Sequence, residues 1–87
     1  MELERIVVHT RDEYRQAQEP LGFEWRGRFF DVAMILDRWY EGSVDSTRFP
    51  LLYFKVRTFE GETYLLRYHE FFRAWSIVAP KEEAGNE

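Results

Sequence analysis

The sequence predicts a mainly all-β domain: a small antiparallel barrel or rolled sheet of five to six strands, of SH3-like type. Short runs in which apolar and charged residues alternate recur along the chain, as in half-buried strands. Glycine-containing turn signals separate these runs at close spacing. Closure into a barrel removes the exposed edges that so many short strands would otherwise leave unpaired.

Length and composition indicate one small domain. The chain has 87 residues, of which 45% are hydrophobic, and no cysteine, so disulfides and thiolate metal sites are excluded. No apolar run approaches the roughly 20 residues that cross a bilayer, and the N-terminal residues do not resemble a signal peptide. We therefore expect a cytoplasmic protein without a membrane partner. Its β domain is predicted over residues 1–80, followed by a disordered polar tail over 81–87.

The first element is predicted from a β-branched run. Ile6-Val7-Val8 indicates a strand from about Glu4 to His9. The polar segment that follows, from Thr10 to Pro20, is interpreted as a mobile connection. A helical turn capped by Thr10, with Glu13 in capping-box spacing, is the alternative. The barrel body is expected to begin near residue 22.

A hairpin opens the barrel body. Phe23 and Trp25 alternate with charged residues, Gly27 supplies a turn, and Arg28 begins a second, longer strand. That strand carries Phe30, Val32, Met34 and Leu36 on one face, and Phe29, Ala33, Ile35 and Trp39 on the other. Apolar residues on both faces indicate a central strand, or one that bends so that each end buries a different face.

A second hairpin follows a loop over residues 41–48. Pro50 opens a strand whose inward residues are Leu52, Phe54 and Val56, and Glu60-Gly61 marks a turn. If those two residues form the loop, Arg57 pairs with Tyr64 and Tyr53 with Tyr68 on one face, while Val56 pairs with Leu65 on the other.

The last part of the chain breaks the alternation and then resumes it. His69–Arg73 loses the period of two and predicts a single helical turn. Trp75–Val78 predicts the final strand, and Pro80 ends the fold. The expected core consists of Phe23, Trp25, Phe30, Phe54 and Trp75. Each tryptophan, Trp39 included, is expected in the core rather than at a contact surface.

The residues that catalysis requires do not occur in the necessary patterns. His9 and His69 lack ligand-spaced partners, and no serine stands in a nucleophile-elbow context. Asp31 and Asp37 would lie about 20 Å apart along an extended strand, too far to act as a carboxylate pair. We therefore predict a protein that is not an enzyme and that uses no cofactor or metal.

The remaining candidate for function is a face of aromatic and basic side chains. Its predicted members are Tyr53, Lys55, Arg57, Tyr64, Arg67 and Tyr68. Such a face could bind a protein partner or a second copy of the chain, since Tyr, Trp and Arg dominate interface hot spots. It could also stack the bases of single-stranded nucleic acid. The alternative is a structural role, in which these residues form cation–π pairs that pack on the outside of the sheet and bind no partner.

Charge favours the protein partner. The chain has a net charge of −4. Residues 23–73 contain eight basic and eight acidic residues, so this body is neutral. Nucleic-acid modules usually carry a basic excess, because phosphate contacts supply most of their affinity. A protein partner or homo-oligomer is therefore the preferred interpretation, and nucleic acid is the alternative.

Three spaced motifs lie within roughly residues 22–67, a little over half the chain. They are Trp25-Arg26-Gly27-Arg28, the strand ending Leu36-Asp37-Arg38-Trp39, and Tyr53-Phe54-Lys55-Val56-Arg57-Thr58 with Gly61 and Tyr64-Leu65-Leu66 after it. In this set the chain resembles a small uncharacterised family of bacterial domains. Some members are encoded beside, or fused to, error-prone Y-family DNA polymerase-like proteins in actinobacteria, which implies an accessory role in DNA repair. The family has no assigned catalytic residues, so the resemblance transfers none.

Overall fold

Six antiparallel strands close into a barrel in which each strand pairs with the next and the last pairs with the first. The computed structural model describes residues 2–10, 19–42 and 50–79. The strands are β1 (Leu3–Thr10), β2 (Pro20–Trp25), β3 (Arg28–Glu41), β4 (Leu51–Thr58), β5 (Thr63–His69) and β6 (Ala74–Val78). The predicted all-β antiparallel barrel is confirmed, and its SH3-like character stays a prediction. Most of the predicted mobile connection, and the predicted tail over 81–87, lie outside the described residues.

Strand β2 begins earlier than the sequence suggests. Pro20 pairs with Thr10 of β1 across a register shift next to His9. Proline is tolerated at the first residue of a strand because it only removes a donor where the ladder ends. Pro20 therefore starts the strand that was expected near residue 22.

The β2–β3 connection is a tight turn of two residues. Arg26 and Gly27 have φ values of 54° and 74°, the left-handed region that a type I′ hairpin turn requires at both central positions. Trp25 consequently pairs directly with Arg28. The predicted hairpin around Gly27 is confirmed.

Strand β3 changes partner and bends along its 14 residues. It pairs with β2 up to Asp31 and with β4 from Val32 onward, with register shifts between Val32 and Met34 and again after Ile35. These bulges let Val32 and Ile35, which are an odd number of residues apart, both pack against the core. Of the two predicted alternatives, a central strand or a bent one, the register shifts fit the bent strand. Met34, predicted on the same face as Val32, is 52% exposed and does not share its buried face.

The core fills the barrel interior from all six strands. Its buried members are Ile6, Phe23, Trp25, Phe30, Leu52, Phe54, Val56, Leu66 and Ile77, and Trp75 packs against them while partly buried. Four of the five predicted core residues are thus buried, and Trp75 lies at the boundary. The prediction that Trp39 lies in the core is wrong: it pairs with Tyr53 on the outer surface, on the side of β3 opposite Phe30 and Val32, and 41% of it is exposed.

The β4–β5 turn contains one residue more than the sequence predicts. The Thr58 amide donates to the Glu62 carbonyl at 2.8 Å, and the Gly61 amide donates to the Thr58 carbonyl at 2.9 Å. Phe59-Glu60-Gly61 therefore forms a three-residue loop, whose last residue has a φ of 94°. Tyr53 pairs with Arg67 and Val56 with Tyr64, one residue away from the predicted register.

The predicted helical turn at His69–Arg73 is wrong. No helix occurs in the described ranges, and residues 70–73 form a turn that links β5 to β6. The Glu70 amide lies 3.5 Å from the Pro50 carbonyl, and Arg73 has a φ of 53°. A left-handed residue at this point ends any helical turn and directs the chain into β6.

Candidate binding face

The one-residue register difference divides the predicted face of aromatic and basic side chains between the two sides of the sheet. Side chains alternate along a strand, so a slip of one residue moves every side chain of β5 to the other face. Tyr53, Lys55, Arg57 and Arg67 lie on the outer surface, with Tyr53 paired to Arg67. Tyr64 and Tyr68 instead pack against the core, so their prediction as face residues is wrong.

Tyr64 belongs to an aromatic cluster inside the barrel. Its ring centroid lies 5.8 Å from that of Phe23 and 5.5 Å from those of Trp25 and Phe30, with edge-on geometry in each case. Its hydroxyl donates a hydrogen bond of 2.7 Å to Glu62. Burial, followed by this bond to a carboxylate, raises the pKa of Tyr64 to about 12.

This raised pKa predicts a loss of stability at alkaline pH. An unfolded tyrosine releases its proton near pH 10, whereas folded Tyr64 keeps its proton up to about pH 12. Between these values the unfolded state binds fewer protons, so the free energy of unfolding falls as pH rises. We expect Tyr64→Phe to flatten this fall in denaturant melts measured across the window. An unchanged slope in the variant would contradict the assignment.

A stacked aromatic pair lies on the outer surface. Trp39 and Tyr53 are direct cross-strand partners, and their rings are nearly parallel, with centroids 5.1 Å apart and an interplanar angle of 8°. Tyr53 is only 8% exposed although it points away from the core, whereas 41% of Trp39 remains exposed. Trp39 thus covers Tyr53 and presents a supported indole at the surface. Sequence reasoning missed this residue because it assigned every tryptophan to the core, and because the two register shifts of β3 set which β4 residue Trp39 meets.

Arg67 lies on the other side of Tyr53. Its Nε is covered and makes no hydrogen bond, a state that costs about 1–3 kcal/mol for a buried polar group. In the next positions of the ladder, Arg67 pairs with Ser76, and Ser76 pairs with Arg5. One row therefore runs from Trp39 through Tyr53 and Arg67 to Arg5 across the outer surface.

Several cations on this surface form no ion pair with a described carboxylate. Among the described residues, four other basic side chains lie against carboxylates: His9 with Glu24, Arg26 with Glu4, Arg28 with Glu60, and Arg38 with Glu19. Within residues 2–10, 19–42 and 50–79, no ion pair involves Arg5, Lys55, Arg57 or Arg67. We call Arg5, Trp39, Tyr53, Lys55, Arg57 and Arg67 the basic–aromatic face. Lys55, Arg57 and Arg67 come from the β4–β5 hairpin, and Arg5 joins them only because β6 pairs with β1.

Exposed phenylalanines flank the basic–aromatic face at one end. His69 follows Arg67 on the same side of β5, and its ring centroid lies 4.6 Å from that of Phe72. The neighbouring Phe71 ring is 5.1 Å from Phe72. Both phenylalanines are more than half exposed, at 62% and 67%. Apolar surface thus borders the cations.

The second prominent polar cluster has a structural role. The Glu4 carboxylate on β1 accepts hydrogen bonds from Trp25 Nε1 at 2.7 Å and from Arg26 at 2.6 and 3.1 Å. These bonds, first from Arg26 and then from Trp25, hold the pKa of Glu4 below its ordinary value. The carboxylate thereby fastens the β2–β3 turn to β1 and satisfies the buried indole N–H.

Two kinds of site were not found in the described part of the chain. No three His, Asp or Glu side chains there lie close enough to hold a metal ion. No helix in those residues is long and apolar enough to cross a membrane.

The fold and the face define a class: a small closed antiparallel barrel that carries aromatic and basic side chains on its exterior. Comparison of the chain with protein-family models, with curated proteins and with solved structures finds no match. The resemblance to a bacterial domain family therefore stays a prediction.

Proposed function

We propose that the chain is a non-catalytic interaction module that binds a protein partner, or a second copy of itself, through the basic–aromatic face. The observation that carries this proposal is the exposed indole of Trp39 stacked on buried Tyr53, beside cations without described acidic partners. A cytoplasmic location suits a cysteine-free module of this kind.

The composition of the face resembles that of interface hot spots. Trp, Tyr and Arg are the residues whose truncation most often weakens protein complexes. Trp39 is already supported by Tyr53, so a partner that covers it would gain apolar burial with little loss of side-chain freedom. Exposed Phe71 and Phe72 lie beside His69 at one end of the face, and exposed apolar surface of this kind is typical of interaction sites.

Site-specific photo-cross-linking tests the proposal. A photoreactive phenylalanine analogue at position 72 should form defined adducts in the source cells or with a second copy of the chain. Trp39→Ala should remove these adducts, because it deletes the apolar centre of the face. Sedimentation of the purified protein over a range of concentrations would then show whether the adduct partner is the chain itself.

Position 29 provides the matched control. Phe29 is also half exposed, at 50%, but lies on the β2–β3 hairpin. The same analogue there should give no adducts that depend on Trp39. Two results together would contradict the proposal: a strictly monomeric protein in sedimentation, and adducts at position 72 that Trp39→Ala does not change.

Single-stranded DNA is the second candidate, favoured by the exposed face of Trp39. Single-strand binders combine an aromatic platform with a basic groove, and the resemblance to polymerase-associated domains implies the same ligand. Binding of oligothymidylate should then weaken steeply as salt rises, because bound cations release counterions. An absence of detectable binding at low salt would exclude this candidate.

A further inference from the structure

We infer that the partner presents an acidic, extended segment to the basic–aromatic face, with carboxylates against Lys55, Arg57 and Arg67 and an apolar side chain against Trp39. This inference rests on the proposed function and names the chemistry of the partner.

The distribution of counterions carries the inference. Arg26 in the β2–β3 turn and Arg28 and Arg38 of β3 each form an ion pair with a carboxylate. The cations of the face have none among the described residues, although the whole chain has a net charge of −4. Acidic residues are thus abundant, but those described either pair with other cations or, like Asp37 beside Lys55, form no ion pair with the face. An acidic partner would supply the missing counter-charges.

Strand geometry indicates an extended segment. Lys55 and Arg57 lie two residues apart on the same side of β4, a separation of about 7 Å. Alternate side chains of an extended peptide have this same spacing. Two carboxylates at alternate positions of a partner would therefore match these two cations.

Packing restricts the Arg67 side chain before any partner binds. Its Nε is covered by packing, and the residue stands next to nearly buried Tyr53. A guanidinium that is already ordered loses little freedom when a carboxylate binds it. Charge-assisted hydrogen bonds to the guanidinium are the strong ones, roughly twice as strong as neutral bonds.

The surroundings favour a short acidic peptide over a nucleic acid. Asp37 is the register partner of Lys55, and Glu41 lies two positions beyond Trp39 on the same strand. These carboxylates would repel a long polyanion that tracks across the face. A peptide that places only a few carboxylates over β4 and β5 meets less of this repulsion than a continuous polyanion.

Fluorescence anisotropy with a defined probe tests this inference. The probe is a fluorescein-labelled peptide, Glu-Glu-Phe-Glu-Glu with blocked ends, and the expected result is binding that weakens as salt screens the charges. Arg57→Gln should weaken binding about threefold to fivefold, as expected for one exposed charge contact. Trp39→Ala should remove it. The thermal melt of each variant establishes that the fold is retained.

Arg28→Gln is the matched control. It removes the same charge from an exposed arginine, but one that is paired with Glu60. If Arg28→Gln binds the peptide as tightly as the unmodified protein, the inference is supported. If Arg28→Gln and Arg57→Gln lose the same amount of binding, the inference is overturned. Absence of peptide binding at low salt also overturns it, as does binding of oligothymidylate in place of the peptide. The photo-cross-linking adducts at position 72 could form even though the acidic peptide does not bind. The proposed function would then stand, with a partner that is not acidic.

Discussion

Phe54→Ala is expected to lower the free energy of unfolding by about 3–5 kcal/mol, the range for truncating a buried phenylalanine. Phe54 is 1% exposed, and its ring centroid lies 5.6 Å from that of Trp75 on β6. Phe54 belongs to the buried cluster inside the barrel, so the substitution would leave a cavity in the interior. Chemical denaturation measures the loss as a lower midpoint with an unchanged slope.

Phe59→Ala is the matched control for this prediction. Phe59 is the same residue type in the β4–β5 turn, but it is 75% exposed. Surface substitutions away from special features usually change stability by about 0.5 kcal/mol or less. Similar losses in the two variants would show that Phe54 does not occupy the core.

Tyr64→Ala is expected to cost about 2–4 kcal/mol, close to the range for core aromatic residues. The substitution removes a ring that contacts Phe23, Trp25 and Phe30 within 6 Å between centroids. It would therefore leave a gap at the end of the barrel where β2, β3 and β5 meet. Denaturant melts at neutral pH check the result.

Two further variants test whether the loss of stability in Tyr64→Ala comes from the register of the β4–β5 hairpin or would follow any substitution in β5. Tyr64→Phe retains the ring and loses one hydrogen bond to Glu62, so about 1 kcal/mol or less is expected. Leu65→Ala should cost less than Tyr64→Ala, because Leu65 pairs with exposed Lys55 on the outer surface. The reverse order would indicate the two-residue turn, with Leu65 inside and Tyr64 outside.

The position of Tyr64 also decides how binding experiments are designed. A tyrosine that supports the core would weaken binding by unfolding the barrel, and the loss would resemble that of a contact residue. Trp39 and Arg57 are better sites for this purpose. Trp39 is 41% exposed, and the Arg57 side chain is exposed on the outer surface of β4.

Much of the fold followed from local pattern. Alternation of apolar and charged residues predicted Leu52, Phe54 and Val56 on the inner face of β4, and all three are buried. Gly27 predicted a turn before the second strand, because glycine adopts the left-handed backbone that tight turns require. These features depend on residues close together in sequence, so one strand or one turn is enough to determine them.

The register of β5 could not be predicted in the same way. Glu60-Gly61 is compatible with a two-residue or a three-residue loop, and the choice moves Tyr64 and Tyr68 from one face to the other. The interior decides between them. In the observed register Tyr64 joins the ring cluster in the core, whereas the alternative would place that large apolar ring in solvent.

By itself the sequence predicted that this protein is a small all-β barrel, that residues 23–73 are neutral, and that aromatic and basic side chains share its strands. Those properties are local or compositional, so they do not depend on how strands pair. Only the tertiary structure decided which aromatics lie outside and which cations lack counterions. Trp39 reaches Tyr53 through the bulges of β3, and Arg5 joins Arg67 only because β6 pairs with β1. Both results depend on pairings between distant segments, which the packed interior selects and which no single strand encodes.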